Sequence, residues 1–551
     1  MEFEPVLARQ RAQAMRARGL WNDQTLHDYF SAALAAFPNK PAVVDHASRS
    51  ASPHRLSYRE LDVQAAKIAA SLTRLGVGRG DVVSVQLQNC WQHVAIALAC
   101  ARIGAVINPL MPIFRERELE FMLNLCESAV FIVPASFRGK DHAAMVRALK
   151  PRLPHLRQLV VVDEDSAEGF ERLLLNEGTQ PRGPEAAGPP ALPLHPDDVA
   201  LVMFTSGTTG EPKGVMHTSN TMLATLGAAM RSLEMTPDDV ALCSAPMGHL
   251  LGFALLGVFP LMFKGTTVIM DTWDVDLALR LMAEERITFT AGPTPYLADL
   301  CNAVAAGAAR PPSLRVFCCA GAPIPPVLIE RADSHLNMTV CSLWGMTEVQ
   351  AGLITELRRG RSCSALADGR PPAGMEAMIV DDAGRQLPAG QTGRLQVRGS
   401  GVFAGYLKHP ERNDTDADGW FDTGDLAYEV NSDGDIRING RTKDIIKRGG
   451  ESVPVVEVEA LLARHPAVSS VAIVGWPDAR LGERVCAFVT LLPGASFDLG
   501  EMQRYLKKCQ LTPQYWPERI EIRNELPRTP SGKVQKFRLR ELVQQLSGQT
   551  S

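Results

Sequence analysis

Apolar residues recur at helical spacing through SYRELDVQAAKIAASLTRLG, residues 57–76, with Ser57 placed as an N-cap and Gly76 as a stop. The β-branched run DVVSVQL (81–87) predicts a strand, and WQHVAIALACARIG (91–104), apolar nearly all round, predicts a buried helix. AVINPL (105–110) predicts another short strand. Buried strands alternating with helices in this way predict an α/β fold with parallel sheets. Leu250–Phe263 is the longest uncharged apolar stretch and is interrupted by Pro260. A membrane span needs about 20 residues, so this stretch is expected to be a buried core segment.

Six prolines fall within 181–196, which predicts an exposed connector. Beyond it the α/β alternation resumes to about residue 360, and from about 376 to 438 short strands with Gly and Asp turns predict a β-rich subdomain. Residues 445–551 read as strand, helix (455–463), strand (468–474), strand (484–492), helix (499–509) and strand, an α+β unit large enough to fold alone. The expected division is an N-terminal domain over 1–440 and a C-terminal domain over 441–551.

At roughly 100–200 residues per domain, 551 residues provide for several packed units. A hydrophobic share of 46% and a charged share of 21% exclude a mainly disordered chain, a collagen or a coiled coil. The formal charge of -4 shows no basic excess of the kind that advertises a nucleic-acid or anionic-membrane partner. The opening MEFEPVLARQRAQAMRARGL is Arg-rich but has no apolar signal core, and Glu2 and Glu4 weaken a transit-peptide reading. Eleven scattered cysteines without a CxxC pair, and histidines without HExxH or HxxxH spacing, argue against a disulfide framework or zinc site; a reducing cytoplasm is expected.

The strongest local signal is ALVMFTSGTTGEPKGVMHT, residues 200–218. An apolar strand runs into Thr205, Ser206, Gly207, Thr208, Thr209 and Gly210, followed by Lys213. Small and hydroxylated residues after a strand can expose backbone N–H groups and hydroxyls together, which is phosphate-cradling chemistry, and Lys213 adds a cation. It is not a Walker A loop, because Glu211 and Pro212 separate Gly210 from Lys213.

Four further segments lie in order behind it: SLWGMTE (342–348), DGWFDTGDLA (418–427), GRTKDIIKRGGE (440–451) and LPRTPSGKVQK (526–536). With these the chain resembles, over nearly its whole length, the acyl-adenylate-forming superfamily of acyl-CoA synthetases, peptide-synthetase adenylation domains and luciferases. RIGAVINPLMPIFRERE (102–118), CAGAPIP (319–325) and VEVEALLARHPAV (456–468) are most similar to the branch of cyclohexanecarboxylate–CoA and short- or medium-chain fatty acid–CoA ligases. The resemblance implies a large adenylate-forming domain followed by a small mobile one, with ATP, Mg2+ and coenzyme A as cofactors. It also implies two steps, in which carboxylate and ATP give acyl-AMP and pyrophosphate, and CoA then displaces AMP.

Carried over by resemblance, Thr205 to Gly210 and Lys213 would wrap the β- and γ-phosphates. Trp344, where tyrosine is commoner, would lie beside adenine with Gly345 and Met346 in the same nucleotide segment. Thr347 would donate to the α-phosphate and Glu348 would hold Mg2+. Gly321 and Ala322 would line the adenine face, Asp425 would accept the ribose hydroxyls, and Arg441 would touch ribose or phosphate. Lys533 would bridge the carboxylate and the α-phosphate, so that the catalytic set is Lys533, Thr205, Glu348 and Arg441. Lys443 marks the hinge, and Lys447, Gly449 and Gly450 would serve thioester formation. His249, Gly292 and Gly321 would border the acyl pocket. Two departures stand out: Arg394 where relatives usually carry Glu, expected on a β-turn away from the chemistry, and Ser452 where many carry Asn.

Apolar segments 248–253, 291–296 and 318–321 suit an alicyclic, aromatic or short- to medium-chain acid better than an amino acid, whose ammonium would be left unpaired. Two alternatives stay open: a ligase that loads a separate carrier protein, and a non-catalytic nucleotide-binding relative. A protein acetyltransferase acting on Lys533, in a P-x-x-x-x-G-K run from Pro527, is a further expected partner; nucleic acid and a transmembrane segment are not expected.

Overall fold

The structure is a computed structural model that describes residues 3–4, 9–46, 52–176, 194–205, 212–321, 324–360, 363–413, 415–448, 451–478, 480–529 and 533–548. Most of the connector 181–196, the loop Ser206–Gly210, Ala322, and Gly449 with Gly450 lie outside the described residues.

Among the described residues, eight strands form one sheet in the order 353–354, 339–344, 316–320, 289–292, 240–243, 266–270, 41–46, 54–57. Its middle strands are parallel and both edge pairs antiparallel. A second sheet of seven runs 405–406, 213–218, 199–205, 106–109, 82–85, 130–134, 158–162. It is parallel from 199–205 onward, while 213–218 folds back on 199–205 as an antiparallel partner, with Lys213 opposite Thr205. Val130–Pro134 is buried along its whole length, as a strand covered on both faces must be.

The sequence explains the local elements. Ser57 caps the helix Tyr58–Arg74: its hydroxyl accepts from Glu60 N–H, and the Glu60 carboxylate accepts from Ser57 N–H at 2.8 Å. The helix Trp91–Ile103 is buried nearly all round and stops at Gly104 in the left-handed region. Leu250–Phe263 is core, as its composition predicts, wound as a π-helix over Leu251–Val258 and then a short α-turn over Phe259–Met262.

A third, antiparallel sheet comprises Met375–Val380, Gly393–Gly399, Phe421–Glu429 and Ile436–Arg441. Arg394, expected on a turn, lies instead inside the strand Gly393–Gly399, where its guanidinium pairs with Asp422 of the neighbouring strand. Strand alternation turns its side chain to the same face as that partner, a direction that the flanking glycine of GRLQVRG obscures in the sequence. The last sheet is built from residues 446–522, with the hairpin Val468–Asp478 and Gly482–Leu491 at its centre and its own apolar core around Phe488, Ile473 and Met502.

Ser57→Ala should lower the stability of the N-terminal part by about 1 kcal/mol, because the Glu60 N–H at the helix start loses the hydroxyl that accepts from it. The shift is readable as a lower urea midpoint.

Candidate active site

The carboxyl ends of the parallel strands in the eight-stranded sheet gather the candidate residues, as is usual for open α/β sheets. The strand Val316–Ala320 delivers Gly321, Thr339–Trp344 delivers Trp344, and Phe289–Gly292 ends at Gly292. Gly321 has φ +90°, and a Cβ there would stand 2.7 Å from Cε of Lys533. The lysine stem therefore lies against bare backbone, in a position any other residue would fill. Lys533 is held from its own side: its N–H donates to Thr529 Oγ1 at 3.1 Å, and its carbonyl accepts from Thr529 N–H at 2.7 Å.

Asp425 and Arg441 face each other across adjacent antiparallel strands. Arg441 Nε lies 2.9 Å from Asp425 Oδ1, and the Trp344 indole N–H donates to Asp425 Oδ2 at 2.8 Å. Asp425 is only 3% exposed, and burial raises its pKa against the pull of Arg441, Trp344 and Lys533. Lys533 is pushed down by burial and by Arg441 and back up by Asp425. Polar side chains thus converge from three separate parts of the chain. Gly352 gives Trp344 room, since a Cβ there would meet the indole at 2.3 Å.

Glu348 sits in a tight turn after Trp344. Gly345 closes that turn, where an added Cβ would fall on the Gln350 carbonyl, and Met346 packs half-buried beside Trp344. The Glu348 carboxylate accepts from the Tyr406 hydroxyl at 2.9 Å, and its carbonyl accepts from Phe403 N–H at 2.8 Å. Burial raises its pKa, partly offset by Tyr406, Lys213 and Arg441. Lys213 Nζ lies 4.4 Å over the Tyr406 ring, a cation–π contact that brings the first residue of the strand Lys213–Thr218 towards Glu348.

Thr347 is buried, and its carbonyl accepts from His217 Nε2 at 2.7 Å. A carbonyl cannot donate, so Nε2 carries the proton and Nδ1 accepts, with Gln350 Nε2 at 3.0 Å. Burial holds the His217 pKa down at about 4, so this tautomer is neutral and fixed.

His249 begins the apolar side of the site. Burial, and then the charge of Lys533, push its pKa down to about 4, so it is neutral at physiological pH. Its loop is held by Asn89, whose Nδ2 donates to the Ala245 carbonyl at 2.9 Å and whose Oδ1 accepts from Met247 N–H at 2.7 Å. Gly248 packs onto residues 110–111, with no space for a Cβ. Gly292 is likewise closed by Tyr296, whose ring stacks on Trp273 at 3.9 Å.

Lys533, Gly321, Asp425, Arg441, Trp344 and His249 are therefore brought together, as are Glu348, Thr347 and Lys213. Lys447, in contrast, is exposed on the strand Ile446–Arg448, its N–H donating to Glu483. Lys443 lies in a 3-10 turn, Thr442–Asp444, directly after Arg441. Tyr406, Phe403, His217 and Gln350 escaped the sequence reading. Only His217 carried a signal, standing in the strand that continues the 200–218 motif.

This fold and this clustering of a lysine with two buried carboxylates are those of an adenylate-forming enzyme. The chain belongs to the AMP-binding enzymes: the profile of that family matches residues 30–407, and that of the AMP-binding enzyme C-terminal domain matches 457–533. It is 37% identical over 534 residues to the medium-chain fatty-acid–CoA ligase of Escherichia coli K12, covering 96% of this chain and 92% of that one. It is 30% identical to the 2,3-dihydroxybenzoate-AMP ligase of Bacillus subtilis 168, covering 97% and 96%. Among solved structures it resembles ATP-bound MatB from Rhodopseudomonas palustris, with TM-score 0.79, 26% identity and coverage of 94% and 99%. Its fold also matches that of the anthranilate CoA ligase AuaEII in complex with anthranoyl-AMP, with TM-score 0.85, 24% identity and coverage of 97% and 99%. No helix among the described residues is long and apolar enough to cross a membrane.

If proton uptake by Glu348 sets the acid limb of nucleotide chemistry, that limb lies above the usual carboxylate value of about 4.3. Tyr406→Phe removes a hydrogen bond that lowers the Glu348 pKa, so the limb should move to higher pH. The pH profile of acid-dependent ATP–pyrophosphate exchange reads this, and an unmoved limb would reject the link.

Proposed function

We propose that this protein is an ATP-dependent acid–CoA ligase. The observation that carries the reading is Lys533 lying on Gly321 beside Asp425 and Arg441: an ammonium from near the C-terminus lies among residues from earlier segments of the chain. Both first-step reactants are anions, so bringing them together needs a cation at the point of attack and oriented donors around it. In the first step a carboxylate oxygen bonds to the α-phosphorus of ATP while the bond to pyrophosphate breaks. Lys533 stabilises the charge on the carboxylate and α-phosphate oxygens. Asp425 takes the ribose hydroxyls, Trp344 and Gly321 flank adenine, and Thr347, Thr205 and Lys213 bind phosphate. In the second step the CoA sulfur bonds to the acyl carbon and AMP leaves.

Glu348 fits a role as Mg2+ ligand. A buried carboxylate that burial alone pushes toward protonation gains from a hard cation, and magnesium bound to nucleotide commonly takes one or two protein carboxylates. When bound, Mg2+ would neutralise phosphate charge.

The acid we propose is a medium-chain, alicyclic or aromatic carboxylate. Support comes from the neutral His249, the closed glycines at 248 and 292, and the surrounding apolar residues. The named activities of the two curated relatives point the same way. The B. subtilis relative, named as an AMP ligase, favours a second reading in which the acyl group is passed to a carrier protein. Lys533, Glu348 and Asp425 count against a non-catalytic binding role. Pyrophosphate release with acid and ATP, with and without CoA, separates the three, and kcat/KM across a panel of acids identifies the substrate.

The C-terminal part from residue 441 is proposed to pivot near Lys443, withdrawing Lys533 and bringing Lys447, Gly449 and Gly450 forward for thioester formation. A protein acetyltransferase that modified Lys533 would remove the charge adenylation needs. In this arrangement the lysine stem is against Gly321, so such an enzyme would act on the withdrawn state. A cytoplasmic location is consistent with the ten described cysteine side chains, which form no disulfide.

Lys533→Ala should reduce adenylation by about 100-fold or more, the scale of losing one donor to developing charge. It should leave thioester formation from pre-made acyl-adenylate largely intact. Lys443→Pro, which fixes φ at the pivot, should do the reverse. Equal losses in both half-reactions for either variant would defeat the two-arrangement reading.

A further inference from the structure

The Arg-rich opening segment docks against the site from behind. Residues Arg9–Ala17 form a helix from which Arg11 reaches the loop 399–403. Its Nη2 donates to the Gly399 carbonyl at 3.1 Å and to the Val402 carbonyl, and its Nη1 donates to the Phe403 carbonyl at 3.3 Å. Burial lowers its pKa only to about 10, so it remains a cation.

Phe403 and Tyr406, on this same loop and the strand after it, grip Glu348 at both ends. Phe403 N–H holds the Glu348 carbonyl at 2.8 Å, and the Tyr406 hydroxyl holds its carboxylate at 2.9 Å. Ala404 N–H donates to the Met216 carbonyl at 2.8 Å, tying the loop to the strand that starts at Lys213.

We infer that Arg11 is a positioning residue for adenylation: one guanidinium fixes the loop that sets both the main chain and the carboxylate of Glu348. Arg11 lies before residue 30, where the family profile begins to match. The planar fork of arginine can reach several carbonyls at once, which a lysine ammonium does less well. Trp21 provides an internal control. Its ring lies under Arg11 and Arg16, 5.9 Å from each guanidinium, and its indole N–H donates to the Ser400 carbonyl at 3.1 Å. It therefore helps dock the same segment, with its indole hydrogen bond going to Ser400 rather than to the 402 and 403 carbonyls.

The inference rests on the proposed role of Glu348 in adenylation, and the experiment separates the two. Arg11→Met, Arg11→Lys, Trp21→Phe and Glu348→Gln are compared in the full chain for three readouts. These are acid-dependent ATP–pyrophosphate exchange titrated with MgATP, thioester formation from synthetic acyl-adenylate and CoA, and the urea midpoint. Arg11→Met should lower kcat/KM for MgATP in exchange by about tenfold or more, as small misplacements of reacting groups do. Thioester formation should stay near wild type, with Arg11→Lys intermediate. Trp21→Phe should lower the urea midpoint with exchange unchanged. Equal loss in both half-reactions of Arg11→Met, or the same exchange defect in Trp21→Phe, would overturn the inference, because the segment would then be merely structural. Loss of exchange in Glu348→Gln with Arg11→Met unaffected would overturn the role of Arg11 alone. Full exchange in Glu348→Gln would remove the reading of Glu348 beneath it.

Discussion

Two carboxylates, Glu348 and Asp425, are kept almost out of water beside the place where further anions are expected to arrive, and the rest of the structure answers to that constraint. Burying a carboxylate is costly unless cations and donors meet it. Arg441 and the Trp344 indole meet Asp425, Tyr406 and the cation of Lys213 serve Glu348, and Lys533 lies within reach of Asp425. These partners come from the strand ends of two sheets, from the antiparallel third sheet and from the C-terminal part. The α/β layers therefore matter for function mainly as a way of bringing distant segments to one point. Both carboxylates still have raised pKa values, so their environment remains short of positive charge.

Much of this was legible in the sequence. The capped helix at 58–74, the buried helix at 91–103 and the C-terminal hairpin announce themselves through periodicity, caps and β-branched runs. Trp344, Glu348, Asp425, Arg441 and Lys533 stand in short motifs whose order can be read directly. What cannot be read is which distant backbone supports them. Tyr406 and Phe403 lie in a plain apolar segment, and their contact with Glu348 spans more than fifty residues. Arg11 stands in an Arg-rich opening without a motif of its own, and a one-dimensional reading cannot tell a guanidinium in solvent from one holding three carbonyls. Arg394, expected on a turn, lies in a strand, because pairing with a neighbouring strand decides the matter.

Motif order and tertiary support thus carry different information. A motif specifies which atoms are offered, while buried donors such as His217, Gln350 and Asn89 specify where they are held. The tautomer of His217 illustrates the difference. It follows from a single carbonyl, that of Thr347, in the turn after Trp344, and it determines which way the histidine can support that turn and Glu348 beside it.

The bare backbone at Gly321 has a mechanical meaning as well. A side chain there would interlock with the lysine, and parting them by the proposed pivot would require one or the other to change rotamer. The contact is instead a methylene chain resting on a peptide, with adhesion of about 0.1–0.2 kcal/mol per atom pair and no catch. Lysine can leave such a surface along its own axis, by sliding rather than unlocking. Grip at this junction is correspondingly left to charge, which the proposed adenylation would itself create and consume.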